Sequence, residues 1–304
     1  MEAILSRIGR GEVLLADGAI GSLIMAHGLP RGAAPESLNL SSPEVLEEIA
    51  VLYLAAGAEI IQTNTFGASP LKLANYDLAE HAAAINENAV RAVRRAVGER
   101  ACVSGSCGPS GKLLKPYGDT EEGKLFDSFH VQMQALIQSG VDAVCIETMS
   151  DIHEAVLAIQ AARSVSLSIP IMATMTFEAT ARGFFTIMGV PIAKACQELE
   201  RAGANLVGSN CGNGSLQMIA IAREFKKFTG LPVLIQANAG VPELRAGQVH
   251  YPETPEYMAE MSRELIAAGV SVIGGCCGTT PDHIRAMRNV VDEELRKRHS
   301  LPAD

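Results

Sequence analysis

Three cysteines are the residues whose type and spacing most directly suggest chemistry. Cys276 and Cys277 stand together in the glycine-rich run GGCCGTTPDHI (274–284), and Cys211 stands in SNCGNG (209–214). Each run ends a short apolar stretch that closes in small and polar residues, the pattern of a buried strand, so the three thiols are expected at strand ends. Three protein ligands with a fourth position left open are typical of catalytic zinc. The pattern therefore predicts a zinc site made of three thiolates.

A zinc ion held by three thiolates is electron-rich and is a poor Lewis acid toward water. It is better suited to binding a substrate thiol, because a free thiol has a pKa of about 8.5 and is mostly protonated at neutral pH. Coordination removes that proton, and the sulfur can then attack a methyl group in line. The chemistry predicted is thiol methylation rather than the water activation of zinc hydrolases.

The remaining cysteines and several histidines are interpreted as structural residues. They are Cys102, Cys107, Cys145, Cys196, His130, His153 and His283. Cysteine is often a small buried hydrophobic residue, and Cys107 is expected on the opposite side of the active-site rim. The histidines lack ligand-like spacing, which makes a zinc hydrolase with a His-rich ligand set a weak alternative.

The elements that must position the three cysteines alternate regularly along the chain. Eight short apolar runs that alternate with helical patterns are predicted to be buried strands. They lie in the ranges 12–21, 55–67, 101–111, 139–149, 170–177, 201–212, 232–240 and 267–278. Glycine adopts the left-handed conformation of a helix C-cap without steric penalty. The glycines predicted to end helices are Gly57, Gly140, Gly203 and Gly269.

This alternation predicts an α/β fold with parallel strands and helical crossovers. Eight repeats favour a closed (β/α)8 TIM barrel, formed by a single domain over residues 1–304 with a frayed C-terminal tail from about 296. The carboxyl ends of barrel strands share one rim, which carries the active site. Cys211 ends the sixth predicted strand and Cys276 ends the eighth, so the thiols should converge on that rim.

The amino-acid composition limits the kinds of partner that this protein is expected to bind. The chain has 48% hydrophobic and 19% charged residues, which suits strands covered on both faces. A net charge of -9 is unlike the basic footprint of a nucleic-acid-binding protein. The N-terminal residues lack the apolar core of a signal peptide, and no apolar run approaches the roughly 20 residues of a membrane span. We therefore expect a cytoplasmic protein with reduced cysteines and with no nucleic-acid or membrane partner.

Six motifs, in the same order along nearly the whole chain, resemble the homocysteine S-methyltransferase family. They are LLADGAIGS (14–22), TNTFGA (63–68), GSCGPSG (105–111), IETMSD (146–151), GSNCGNG (208–214) and GGCCGTTPDHI (274–284). Within the family they are most similar to the homocysteine-binding modules of cobalamin-dependent methionine synthases. The resemblance implies a barrel with one Zn²⁺ per chain, bound by Cys211, Cys276 and Cys277. It also implies homocysteine as the thiol that is methylated to methionine.

Homocysteine carries an amino-acid head group that needs polar partners. Glu147, at the end of the fourth predicted strand, is the expected partner of the ammonium, because a carboxylate in a barrel mouth is costly unless paired. A salt bridge to a loop Arg or Lys is the alternative. Asn238, between the thiol-bearing strands, is expected either to bind the ammonium or to fill the open zinc position without substrate. Its alternative role is a loop-capping amide.

The carboxylate of homocysteine is expected at the end of the first predicted strand. Asp17, Gly18 and Ala19 lie there, and small side chains let backbone N–H groups approach a carboxylate. A common Asp-Gly turn is the alternative for Asp17. Thr65 and Ser106, at the ends of the second and third strands, are weaker candidates on the same rim.

The methyl donor is only partly constrained. A quaternary ammonium such as betaine calls for an aromatic cage, and this chain has no Trp and 4% aromatic residues. Relatives that use betaine have an aromatic residue after the strand-four glutamate, where this chain has Thr148. We therefore favour methylcobalamin delivered by a partner protein, with S-methylmethionine second and betaine last. A non-enzymatic zinc- and homocysteine-binding module stays open.

Overall fold

The computed structural model describes residues 4–30, 32–245 and 248–300. Its strands are β1 (Leu14–Leu15), β2 (Ile60–Gln62), β3 (Cys102–Cys107), β4 (Ala143–Met149), β5 (Ile171–Met175), β6 (Glu178–Thr180), β7 (Gly183–Phe185), β8 (Leu206–Asn210), β9 (Val233–Ala237), β10 (Glu243–Arg245), β11 (Gln248–His250) and β12 (Val272–Gly275). Eight of them form one parallel sheet in the order β1-β12-β9-β8-β5-β4-β3-β2. A parallel bridge between Ala16 and Ile60 closes the sheet into a barrel. The predicted (β/α)8 TIM barrel is confirmed.

The helices are α1 (Ile4–Gly9), α2 (Ile20–Ala26), α3 (Leu38–Ser41), α4 (Pro43–Ala55), α5 (Pro70–Leu73), α6 (Ala82–Val97), α7 (Glu122–Gln138), α8 (Ile152–Val165), α9 (Ile192–Ala202), α10 (Ser215–Phe228), α11 (Pro255–Ala267) and α12 (Pro281–Ser300). Apart from α1 and α12, which precede the first strand and follow the last, the helices lie in the segments that connect successive barrel strands. The four predicted C-cap glycines have φ between 82° and 108°, the left-handed conformation that permits a sharp exit from a helix. The frayed tail expected from about 296 begins inside α12, and residues 301–304 lie outside the described ranges.

The barrel has an inner and an outer apolar core. The outer core lies between the sheet and the surrounding helices, and the inner core fills the barrel between its strands. The short helix α1 contributes Ile4 and Ile8 to the inner core, together with Leu14 at the amino-terminal end of the first strand. This helix therefore closes the end of the barrel opposite the mouth. In the described part of the chain, no helix is long and apolar enough to cross a membrane.

Four cysteines are packing residues, as their assignment to structural roles predicts. Cys102 and Cys145 belong to the inner core, whereas Cys107 and Cys196 belong to the outer one. All four are buried. The Cys107 thiol donates a hydrogen bond to Oε1 of Gln132 in α7, at 3.4 Å. None of the four contributes a thiol to the cluster formed by the other three cysteines.

Two antiparallel hairpins project from the mouth of the barrel and are absent from the sequence prediction. The hairpin β6–β7 follows β5, and β10–β11 follows β9. Each strand is only three residues long, too short for the alternation that marks a strand in sequence. Because both hairpins follow the carboxyl ends of barrel strands, they add to the rim that holds the cysteines.

Candidate metal centre and substrate cavity

The three thiols converge where β8 and β12 end. Cys211 directly follows β8, and Cys276 and Cys277 directly follow β12, with β9 lying between these strands. Backbone hydrogen bonds to β9 fix both positions: Cys211 N donates to Gln236 O at 3.1 Å, and Cys276 N donates to Ala237 O at 2.7 Å. The strand order of the barrel therefore sets the distance between the thiols.

The geometry of the sulfur atoms fits one zinc ion. All three Sγ atoms lie within 4.8 Å of one another, and Sγ of Cys211 is 3.7 Å from Sγ of Cys277. Tetrahedral zinc with Zn–S bonds of about 2.3 Å needs sulfurs about 3.8 Å apart. The spacing and the soft thiolate donors both match that requirement, and three cysteines leave one coordination position for a substrate.

The backbone at Cys211 is held in an unusual conformation. Its φ is 59°, and the following Gly212 has φ 77°. The left-handed region costs a residue with a side chain roughly 1–2 kcal/mol, so neighbouring contacts must maintain it. The hydroxyl of Thr176 donates to Asn210 O at 3.0 Å, and Nδ2 of Asn213 donates to Phe177 O at 2.6 Å. These bonds anchor both sides of the cysteine to the end of β5.

The electrostatics of the cluster favour a cation. Hydrogen bonds from Cys211 and Cys276 lower the pKa of the Cys277 thiol well below its usual value. Hydrogen bonds with Cys211 and Cys277, together with burial, raise the pKa of the Cys276 thiol well above its usual value. One thiol of the group ionises readily, whereas further ionisation is opposed by a thiolate within contact distance. A bound divalent metal removes that opposition by supplying positive charge at the centre of the group.

The cysteines line a cavity of about 740 Å³ in the barrel mouth. Strand ends on the far side contribute Ser106 and Glu147, and the loop after β1 contributes Gly18 and Ala19. These residues therefore line the same cavity as the thiols. The cavity is large enough for a small amino acid with space for a second reactant.

Glu147 is a buried carboxylate on this cavity wall. Its side chain is largely shielded from solvent, and burial raises the pKa of the carboxyl to about 7. The hydroxyl of Ser106 donates to Oε1 at 2.5 Å, and Nδ2 of Asn210 donates to Oε2 at 3.1 Å. Within the described ranges no Arg or Lys forms an ion pair with Glu147. The described residues therefore give no support to the alternative in which Glu147 forms a salt bridge with a loop Arg or Lys.

Asn210 is a central residue of the site that the sequence analysis missed. Its Oδ1 accepts hydrogen bonds from Thr148 N at 2.7 Å and from the Thr174 hydroxyl at 2.8 Å. Its Nδ2 donates to Glu147 and lies 4.0 Å from Sγ of Cys276. Asn210 therefore links the buried carboxylate to the thiol cluster. The signal was present in SNCGNG, because Asn210 follows Leu206 and Gly208 at the inward-facing period of two.

Comparison with known proteins agrees with this architecture. A family model described as homocysteine S-methyltransferase matches residues 14–291. The chain belongs to the homocysteine S-methyltransferase family. It is 33% identical over 297 residues to the methionine synthases of Mycobacterium leprae and Mycobacterium tuberculosis. These matches cover 92% of this chain but 24% and 25% of the relatives, so the chain spans about a quarter of their length.

The fold is also found in a solved structure of similar size. The homocysteine methyltransferase MmuM from Escherichia coli, in its metallated form, is 22% identical with a TM-score of 0.78. The alignment covers 93% of this chain and 98% of that chain. At this identity the likeness supports the barrel architecture, and the resemblance to the homocysteine S-methyltransferase family stated from the motifs is confirmed by the family model.

In this member of the homocysteine S-methyltransferase family, the predicted substrate residues fall into two groups. Gly18, Ala19, Ser106 and Glu147 line the cavity together with the cysteines. Asp17, Thr65 and Asn238 are buried behind its wall. The amide of Ala19 already donates to Oγ1 of Thr279 at 3.1 Å, so it is bound to a protein acceptor. A Cβ on Gly18 would lie 2.6 Å from the same oxygen, which explains the need for glycine.

The three residues behind the wall differ in how their polar atoms are satisfied. The hydroxyl of Thr65 donates to Ser106 O at 2.7 Å, whereas Oδ2 of Asp17 accepts from Gln62 N at 2.8 Å. Oδ1 of Asp17 and Oδ1 of Asn238 have no hydrogen-bond partner among the described residues. Burial raises the pKa of Asp17 to about 8, so this carboxyl is easily kept neutral. The amide oxygen of Asn238 is an acceptor without a donor, whereas a neutral Asp17 carboxyl can carry its proton on Oδ1 and donate a hydrogen bond.

Two further residues near the cysteines, Tyr251 and Thr279, were not predicted from the sequence to belong to the site. Tyr251 follows the β10–β11 hairpin, lines the cavity and hydrogen-bonds with Cys277. Thr279 donates to Cys276 O at 2.7 Å while it accepts from Ala19. His283 uses both ring nitrogens: Nδ1 bonds with the Thr280 hydroxyl at 2.9 Å, and Nε2 lies 3.0 Å from Glu253 O. Its ring is therefore committed to the loop framework, in line with its interpretation as a non-ligand.

Proposed function

We propose that this protein is a zinc-dependent methyltransferase that converts homocysteine to methionine. The observation that carries the proposal is the cluster of three thiols at zinc-ligand spacing, on the floor of a cavity that also holds a buried carboxylate. Cys211, Cys276 and Cys277 would hold one Zn²⁺ per chain. Zinc bound there would keep a substrate thiol deprotonated at neutral pH.

The other side chains bind and orient homocysteine. Glu147 pairs with the ammonium, because a cation offsets the cost of keeping this carboxylate charged while buried. Ser106 and Asn210 fix the direction of its oxygens through the bonds that they donate. The carboxylate of the substrate lies near Gly18 and Ala19, where Asp17 in its protonated form can donate a hydrogen bond. Thr65 supports this wall through Ser106.

Asn238 has a second role in this proposal. Its amide oxygen would be available to a zinc ion bound by the three cysteines when no substrate thiol is present. Support comes from the position of Asn238 directly after β9, between the two thiol-bearing strands, and from its unpartnered Oδ1. The residues at 1–304 act as one homocysteine-binding barrel domain. The seven free cysteines suit a reducing compartment, and we assign the protein to the cytoplasm.

The methyl donor in this proposal is a methyl-corrinoid carried by a partner protein. The methionine synthases that this chain resembles are about four times its length, which leaves space in them for further domains. The barrel mouth also exposes many large apolar side chains in segments that follow strand ends. They are Met25, Phe66, Leu113, Tyr117, Ile187, Met188, Leu216, Val241, Leu244 and Val249. Such a rim suits the docking of a large, partly apolar donor.

The first experiment measures zinc content and homocysteine binding together, for wild type and Cys277→Ala. We expect one zinc per wild-type chain, with the homocysteine sulfur entering the zinc coordination sphere in X-ray absorption spectra. Cys277→Ala should lose both properties, because two thiolates are a poor zinc site. Cys196→Ala, which removes a buried thiol far from the cluster, should retain both. Stoichiometric zinc in Cys277→Ala would contradict the proposed ligand set.

A second assay separates the candidate activities. Zinc-loaded protein and homocysteine are incubated with methylcobalamin, S-methylmethionine or betaine, and methionine is quantified. Turnover with methylcobalamin alone supports the corrinoid proposal, whereas turnover with S-methylmethionine alone replaces it with a free sulfonium donor. Homocysteine binding without turnover by any donor or corrinoid-carrying partner would favour the non-enzymatic binding module.

A further inference from the structure

Glu253 joins the two loops that carry the cysteines. It lies in the segment between β11 and α11, two residues beyond Tyr251, and it belongs to none of the motifs that indicated the site. Its carboxylate reaches the loop after β8, which carries Cys211. Its backbone reaches the segment after β12, which carries Cys277. The two connections use different parts of the same residue.

The carboxylate connection caps a helix that has no cap of its own. The N-cap of α10 is Gly214, which has no side chain to accept from the first amides of the helix. Ser215 N lies 3.1 Å from both carboxylate oxygens of Glu253, and the Ser215 hydroxyl donates to Oε2 at 2.6 Å. The negative charge also suits the positive end of the helix dipole. Glu253 therefore fixes the end of the short loop that begins at Cys211.

Glycine in this loop is required by the same contact. A Cβ on Gly214 would lie 2.2 Å from Oε1 of Glu253, and one on Gly240 would lie 2.8 Å from Cγ of Pro252 and 3.1 Å from Cγ of Glu253. Both glycines thus allow the glutamate to pass between the loops after β8 and β9. The glutamate therefore passes close to the backbone of both loops.

The backbone connection leads to the cysteine pair. Glu253 N donates to Ala239 O at 2.9 Å, and Ala239 N donates to Cys277 O at 3.0 Å. The carbonyl of Glu253 lies 3.0 Å from Nε2 of His283, whose other nitrogen bonds with Thr280 just after the cysteine pair. The chain from Cys211 to Cys277 is therefore continuous through Glu253.

We propose that Glu253 is a positioning residue for the metal centre, which holds the Cys211 loop and the Cys276–Cys277 loop at the spacing that one metal ion requires. Cys211 has φ 59°, a conformation that neighbouring contacts must maintain, and Glu253 adds to the bonds of Thr176 and Asn213 by fixing the far end of the same loop. Residues that orient metal ligands without touching the metal typically contribute 10- to 100-fold in metal affinity. The inference rests on the proposed zinc site but assigns a role that the site itself does not require.

The experiment measures the rate at which a chromogenic chelator removes zinc from the full chain. Glu253→Ala should release zinc at least about tenfold faster than wild type. Glu253→Gln should remain close to wild type, because the amide oxygen still accepts from Ser215. Ser215→Ala, which removes only the hydroxyl donor, should give an intermediate rate and remains informative where Glu253→Ala fails to fold.

Thr254→Ala is the matched control. The Thr254 hydroxyl caps α11 by accepting from Tyr257 N at 3.3 Å, so this variant also loses one helix cap but leaves the loop connection intact. Both alanine variants should unfold at a lower urea concentration than wild type because each loses a helix cap, whereas only Glu253→Ala should release zinc faster. The cobalt-substituted Glu253→Ala protein should also show a weakened thiolate-to-metal charge-transfer band.

Two results would overturn the inference alone. The first is a rate of zinc release from Glu253→Ala that equals the wild-type rate. The second is an equally fast release from Thr254→Ala, which would show that the loss of any nearby helix cap is enough to speed zinc release. A wild-type chain that binds no zinc would overturn the proposed function together with the inference. The zinc content of wild type, measured first, therefore distinguishes the two failures.

Discussion

Two glutamates with equal burial illustrate how position decides the role of a residue. Glu147 and Glu154 each expose 6% of their surface, and each accepts a hydrogen bond from a serine hydroxyl. Glu154 also accepts from Ser110 N at 2.8 Å, so it fixes the loop after β3. Glu147 instead faces the cavity that the cysteines line. The carboxylate of Glu154 therefore stabilises a loop, whereas the carboxylate of Glu147 is a candidate ligand of the substrate.

Glu147→Gln should weaken homocysteine binding by roughly tenfold to a hundredfold. A neutral amide loses the charge-assisted bond to the ammonium, and hydrogen bonds to charged groups contribute about 1.5–3 kcal/mol. Zinc content should not change, because Glu147 is not a metal ligand. Isothermal titration of the zinc-loaded protein measures the dissociation constant. Glu154→Gln is the control, and an equal weakening in both variants would refute the ammonium role.

At the level of elements, the barrel strands and helix ends were predictable because their signals are local. A buried parallel strand is an apolar run, and Gly57 and Gly140 mark helix ends by themselves. The convergence of the three cysteines followed from strand order alone. Contacts between distant loops leave no such local pattern. Glu253 caps a helix 38 residues earlier in the chain, and nothing near Glu253 in sequence indicates it.

The helix α1 was also missed, since six residues with two buried isoleucines are too short for a helical period. Its role in closing the barrel leads to a prediction about stability. Ile8→Ala should lower the free energy of unfolding by about 2–4 kcal/mol, and Ile8→Val by about 1 kcal/mol. Urea denaturation measures both values. Zinc and homocysteine binding should be unchanged, because Ile8 lies at the opposite end of the barrel. Loss of zinc from folded Ile8→Ala would contradict this separation.

The whole molecule has two unlike ends. The end beneath the inner core is closed by α1, whereas the other end is open, with the thiols and Glu147 in its cavity and apolar side chains at its rim. In TIM barrels, residues at one end typically stabilise the fold, whereas residues at the carboxyl ends of the strands form the active site. Apolar side chains that are exposed around a cavity lower the solubility of a protein unless a partner covers them during function. The rim is therefore the surface on which the proposed donor should dock.

Leu244 and Leu167 provide a matched test of that surface. Leu244 is 77% exposed in the β10–β11 hairpin at the mouth, and Leu167 is 88% exposed in the loop before β5 at the opposite end. Leu244→Ser should raise the KM for methylcobalamin roughly fivefold, which corresponds to about 1 kcal/mol of partly buried apolar surface. Zinc content and homocysteine affinity should stay at wild-type values. Leu167→Ser should leave all three quantities unchanged. A KM that is equally insensitive to both substitutions would argue against donor docking on this part of the rim, and would favour a small donor that enters the cavity without touching the hairpin.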